Sequence, residues 1–151
     1  MEHETLSALD VAAYILEKQM DNLTTIKLQK LVYYSQAWYL VWQDSPLFVD
    51  KIEAWPNGAV IRNLYEAHSG KYFLTAGDIN GDSGKLSDSQ KKIIDLVCER
   101  YGNLNGAQFA ELTHNERPWR DARKRLSIND YAYKEIPVES IKSYYEAKLG
   151  R

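Results

Sequence analysis

Cysteine, histidine and proline are scarce in this chain of 151 residues, which has one, three and four of them. The single cysteine, Cys98, cannot close an internal disulfide, and that suits a reducing compartment. The histidines, His3, His68 and His114, stand far apart, and neither Cys-x-x-Cys nor His-Glu-x-x-His occurs. The spacings that hold zinc are therefore missing. His114-Asn115-Glu116 has the first half of a zinc-deaminase signature, but no Pro-Cys-x-x-Cys follows it. Asp78-x-Asn80-x-Asp82 opens like a calcium loop, then places Ser83 and Ser89 where that loop needs glycine and glutamate. No metal and no cofactor is expected.

An excess of positive charge is also lacking. The formal net charge is -2 and the pI about 5.9, so no specific nucleic-acid partner is expected. The longest apolar stretch, residues 31–42, is broken by Ser35 and Gln36 and is too short to cross a bilayer. Glu2 and Glu4 stand where a secretory leader needs basic residues. A cytoplasmic location with no membrane partner is the expectation. Catalytic signatures are missing too: there is no G-x-S-x-G, phosphate-binding glycine loop or dinucleotide fingerprint. Cys98 falls one turn beyond Ile94 on the apolar side of its helix, the place of a buried, inert thiol. No enzyme is expected. Acids distant in sequence can still meet in space, which leaves an enzyme with assembled carboxylates as an alternative.

What the chain does have is apolar periodicity with clear punctuation. Its composition, 44% hydrophobic and 26% charged, is that of a globular domain, and its length fits one domain over residues 1–151. Ser7 caps a first helix, with Asp10 in the first turn and Leu6 and Val11 forming a hydrophobic staple. A second helix runs from about Thr25 to Gln43, capped by Thr24 or Thr25. Its apolar residues, Ile26, Leu28, Leu31, Val32, Tyr34, Ala37, Trp38, Val41 and Trp42, lie nearly all the way round, which marks a central buried helix. Residues 47–49 and 52–55 read as a small β-hairpin or extended pair. Pro56-Asn57-Gly58 then turns the chain, with Asn57 as cap of a helix carrying Val60, Ile61, Leu64, Tyr65 and His68 up to Gly70. Residues 72–75 suggest a short strand in an otherwise looped stretch.

Ser87 with Gln90, and Asn105 with Gln108, spell capping boxes for two more helices. The first of these turns Ile93, Ile94, Val97 and Tyr101 inward, and the second holds Phe109 and Leu112. Pro118 and Pro137 suit the opening turns of the last two. In the final helix Val138, Ile141, Tyr145 and Leu149 share one side. The predicted fold is mainly α: a helical domain around a central buried helix, with one small β-hairpin. Tyrosine and tryptophan, 11 and 4 residues, are plentiful, and both anchor interfaces as well as cores.

Three stretches carry a family resemblance. They are Ile26-Lys27-Leu28-Gln29-Lys30-Leu31-Val32-Tyr33-Tyr34-Ser35-Gln36-Ala37-Trp38, Glu53-Ala54-Trp55-Pro56-Asn57-Gly58-Ala59-Val60-Ile61-Arg62, and Leu112-Thr113-His114-Asn115-Glu116-Arg117-Pro118-Trp119-Arg120-Asp121-Ala122-Arg123. In order and spacing they resemble the Panacea domain, the SocA-like family also called phage-associated GepA-like proteins. Ala59 departs from the pattern, since the family often has proline there. The resemblance implies the antitoxin of a type II toxin–antitoxin pair, a bacterial or prophage protein that neutralises a cognate toxin by direct contact. It allows a second mode, an adaptor that hands the toxin to a protease, and it implies no enzymatic activity.

The motif residues so marked are Lys30, Tyr34, Trp38, Glu53, Trp55, Gly58, His114, Glu116, Pro118, Trp119 and Arg123. Physically, Leu31, Tyr34 and Trp38 make the inner stripe of the central helix. Trp55 and Trp119 are expected to pack near it, each needing a partner for its indole N–H. Glu116 stands where it can charge or cap the start of the Pro118 helix. Much of the signature thus reads as scaffold, and the partner surface is expected elsewhere. Two outward faces are the candidates: Arg62, Asn63 and Glu66, and the basic row Arg117, Arg120 and Lys124, part of a cluster that includes Arg123 and Arg125. For the basic row, a solvated face paired with nearby acids is the plain alternative.

Overall fold

The computed structural model describes residues 6–18, 23–56, 58–124 and 134–149. Among them are seven helices and five short strands. Helix α1 spans Ala8–Lys18 and opens as expected: the Leu9 amide donates to the Ser7 hydroxyl at 3.0 Å, and the Ser7 amide donates to Asp10 at 3.0 Å. Asp10 does more than meet the helix dipole. It is buried, and its other oxygen accepts from the Asp82 amide at 2.8 Å, pinning the aspartate-rich loop to α1.

Helix α2, Thr25–Gln43, is the axis of the molecule. Thr24 supplies the cap, accepting from the Lys27 amide at 3.2 Å. Around α2 pack α1, α3 (Arg62–His68), α4 (Asp88–Tyr101), α5 (Gly106–His114) and α7 (Val138–Lys148). Leu28, Leu31, Val32, Tyr33, Tyr34, Ala37 and Leu40 are buried on its successive faces. Burying a Leu or Val side chain fully contributes about 1.5–3 kcal/mol, so this helix dominates the core. The stripe is not complete, however: Ile26 and Trp42, at its two ends, are exposed.

The expected hairpin is displaced by one strand. Strand β2 (Ile52–Trp55) pairs antiparallel with β3 (Gly58–Ile61), in the register Ile52↔Ile61 to Trp55↔Gly58. Asn57, read from the sequence as a cap, lies outside the described residues. Helix α3 therefore starts at Arg62, not near Val60. Val60 and Ile61 fit helical spacing, yet β-branched side chains sit better on a pleated strand. Ala59 belongs to that strand, paired with Ala54, so the departure from proline there concerns a strand and not a helical turn.

Two buried amides of α2 decide which segments pair. Gln29 clamps the Ile61 backbone, accepting from its N–H at 2.9 Å and donating to its C=O at 3.2 Å. Gln36 does the same for the stretch expected to be a strand, accepting from the Leu47 amide at 2.7 Å and donating to the Phe48 carbonyl at 2.9 Å. With those groups satisfied by a side chain, residues 47–49 need no strand partner.

Strand β5 (Lys134–Glu135) adds to the other edge of β2, giving the order β3-β2-β5. Strands β1 (Leu23–Thr24) and β4 (Phe73–Leu74) form a separate antiparallel pair. Both capping boxes, Ser87 with Gln90 and Asn105 with Gln108, are present. Helix α6 (Arg117–Ala122) has Pro118 in its first turn, and Pro137 caps α7. Ile141 and Tyr145 face inward from α7, whereas Leu149, expected on the same side, is exposed.

Candidate functional site

The three motif stretches meet at a polar centre beside α2. Lys30 reaches under the hairpin and donates to the Ala59 carbonyl at 2.5 Å. Gly58 makes that approach feasible: its φ is +136°, and a Cβ there would stand 2.5 Å from the Lys30 Nζ. Lys30 is fully buried, and burial lowers its amine to about 7, against the field of Glu116, which raises it.

Glu116 is the other charged group of this centre. It sits at the N-cap position of α6 but makes no side-chain cap bond, so of the two roles expected for it capping is not the one it fills. The carboxylate turns inward instead. Its Oε1 accepts from the Tyr145 hydroxyl at 2.6 Å and from the Tyr34 hydroxyl at 3.1 Å. Burial raises the Glu116 carboxyl above its ordinary value, while the two tyrosine bonds and the fields of Lys148 and Lys30 pull it down. Aromatic rings wall the centre: Tyr34 stacks on Tyr101 at 4.3 Å and meets Tyr145 edge-on at 6.1 Å. Trp38 donates its indole N–H to the Tyr101 hydroxyl at 2.8 Å.

The remaining motif side chains tie the α5–α6 corner to β2. Trp119 donates to the Trp55 carbonyl at 2.8 Å, and the buried Arg123 donates to the Ala54 carbonyl at 2.9 Å. His114 stacks on Trp119 at 4.2 Å. Trp55 donates to Glu53 at 2.9 Å, and Glu53 also accepts from Arg62 at 3.1 Å. These bonds satisfy buried carbonyls and indoles that would otherwise each cost about 1–3 kcal/mol.

A family model described as Antitoxin SocA-like, Panacea domain, matches residues 28–120. The chain belongs to the SocA-like Panacea family. The matched Panacea segment runs from α2 through most of α6, so it holds Lys30, Gly58 and Glu116 but not Tyr145, which completes the Glu116 site from α7. No curated protein and no solved structure matches the chain. Within the Panacea fold, then, the signature is built into the interior.

The six expected contact residues fall into two places that the structure does not treat alike. Arg62 is half-buried, bonded to Glu53 and lying over the Trp55 ring at 6.0 Å, so it is partly structural. Asn63 is exposed and donates to Asp50 at 2.9 Å, and Glu66 is exposed on the same helix. Arg117, Arg120 and Lys124 are all exposed on or just after α6. Arg123, part of the same basic cluster in sequence, is buried, and Arg125 lies outside the described residues.

One feature escaped the sequence reading. The C-terminal ends of α2 and α7, the second half of α4, and α5 enclose an open cleft of about 650 Å³. Trp38, Trp42, Leu96, Val97, Tyr101 and Leu149 supply its apolar wall, and Glu116 lines it from within. Trp42, Leu96 and Leu149 remain 39%, 47% and 44% exposed, large apolar groups that the fold leaves uncovered. Leu96 carried the signal, being apolar among Lys92, Asp95 and Glu99 on the outer face of α4. A smaller open pocket of about 510 Å³ lies at Asp50, Arg62 and Asn63. Among the described residues no group of acids, histidines and cysteines is arranged to hold a metal, and no helix is long and apolar enough to cross a membrane. Burial holds the Cys98 thiol up at about 12, so it stays protonated and a poor nucleophile at neutral pH.

Proposed function

We propose that this protein is the antitoxin of a type II toxin–antitoxin pair and neutralises a cognate toxin by direct contact, without chemistry of its own. The observation that carries this is the orientation of the signature in a chain of the SocA-like antitoxin family. Lys30, Trp119 and Arg123 bond to backbone carbonyls, and Tyr34 and Tyr145 bond to one oxygen of Glu116. A catalytic set has to present such groups to a substrate. Here they hold a scaffold, and what the scaffold offers to the outside is shape, apolar surface and two charged helix faces.

The test is genetic and direct. The open reading frame next to this gene is induced alone and together with this protein, and colony counts are compared. Induction alone should arrest growth, and co-expression should restore it with both proteins eluting as one complex. Arrest that persists despite equal expression of this protein would refute the antitoxin reading. Restored growth accompanied by loss of the toxin, and only in cells containing an ATP-dependent protease, would assign the adaptor mode instead.

A further inference from the structure

We infer that the cleft between α2, α4, α5 and α7 is where the partner docks, and that the partner segment is apolar with a central lysine or arginine directed at Glu116. The inference rests on the antitoxin reading and adds to it a surface and a chemistry. Glu116 is 2% exposed, yet it lines the inner end of the cleft. Both of its hydrogen bonds fall on Oε1, so Oε2 has no donor among the described residues. The carboxyl group also has no ion pair among them, Lys30 and Lys148 acting on it only from beyond ion-pair distance. A buried carboxyl group with a free oxygen, reached through an apolar opening, is complementary to a cation carried on an apolar segment.

The walls fix the rest of the occupant. Trp42, Leu96 and Leu149 are exposed and line the same cleft, and exposed apolar groups gathered in this way gain when an apolar partner covers them. Besides Glu116, the lining holds two cations, Arg100 and Lys148, and one acid, Glu99. An acidic residue flanking the partner's central cation matches that rim. The fitting segment is thus an amphipathic turn or helix with aliphatic flanks, a buried cation and an acid toward the rim.

The experiment uses the full chain and the toxin encoded beside its gene. Leu96→Glu and Leu149→Glu change exposed positions, so both variants should melt within a few degrees of wild type while binding the toxin at least a hundredfold more weakly. Arg120→Glu, outside the cleft, should bind as wild type. A photo-crosslinking residue at position 96 should capture a toxin segment containing Lys or Arg between aliphatic residues. Replacing that cation by Gln, or making Glu116→Gln, should each weaken binding about tenfold, and the two together should cost little more than either. Wild-type affinity in both cleft variants, or a captured segment lacking a cation, would overturn the inference while leaving the antitoxin reading intact. So would a dimer of this chain alone that Leu96→Glu dissociates, since the cleft would then belong to a second copy. Failure of wild type to neutralise would remove the antitoxin reading and this inference with it.

Discussion

Between pH 7 and 8.5 the folded protein should gain stability, and Lys30 should be the cause. Its amine is lowered from 10.5 to about 7 by burial, so over this range the unfolded chain holds a proton that the folded chain has released. Stability rises with pH wherever the unfolded state binds more protons. Starting at the folded midpoint, a full unit and a half of pH contributes about 1.5–2 kcal/mol. Other shifted groups weigh less in this window, and the Lys30→Met control carries their share. His68 is lowered below 6.5 by burial, so its contribution is mostly complete by pH 7. Glu116 is raised by burial and works against the gain. Cys98 and the buried tyrosines Tyr33, Tyr34 and Tyr145 are raised by burial; the thiol opposes the gain slightly from about pH 8, and the tyrosines only from about pH 9 upward. Urea denaturation at pH 7.0 and 8.5 measures the difference, which in a thermal melt of a domain this size is roughly 3–8 °C. In Lys30→Met the same comparison should be nearly flat. A wild-type stability that is flat or falls across this window would refute the idea that Lys30 is held as a buried, easily neutralised amine.

Gly58→Ala should cost about 3–5 kcal/mol in urea denaturation, because the new Cβ meets Lys30 Nζ at 2.5 Å and the backbone has φ +136°. Glu116→Ala should cost about 2–4 kcal/mol by stranding the Tyr34 and Tyr145 hydroxyls, whereas Glu116→Gln, which can still accept both, should cost less than half as much. Arg62→Glu should lower stability by about 1 kcal/mol through repulsion from Glu53 and loss of packing on Trp55, while Arg120→Glu stays within about 0.5 kcal/mol of wild type.

Much of the fold was legible because its signals are local. Caps act within four residues, so Thr24, the Ser87–Gln90 box and the Asn105–Gln108 box could be read directly, and α2 has the bounds its periodicity gave. The hairpin was misplaced because its decision is tertiary: Gln29 and Gln36 select which backbone is satisfied from α2, and neither amide announces that role in sequence. The candidate site suffered more. Glu116 looked like a cap because α6 begins beside it, and its true partners lie 82 and 29 residues away. Trp42 and Leu149 fit the apolar stripes of α2 and α7, so periodicity counted them as core, but both lie at the C-terminal ends of those helices and line the open cleft.

Hydrogen exchange on this protein with and without the product of the neighbouring open reading frame, the proposed toxin, tests the assignment of the cleft as the docking surface most directly. Slowed exchange is expected in the second half of α4, around Trp42 and at the C-terminal end of α7, with the backbone at Arg62–Glu66 and along Arg117–Lys124 unchanged. Protection confined to the α3 face or to the basic row, with the cleft exchanging as in the free protein, would contradict it.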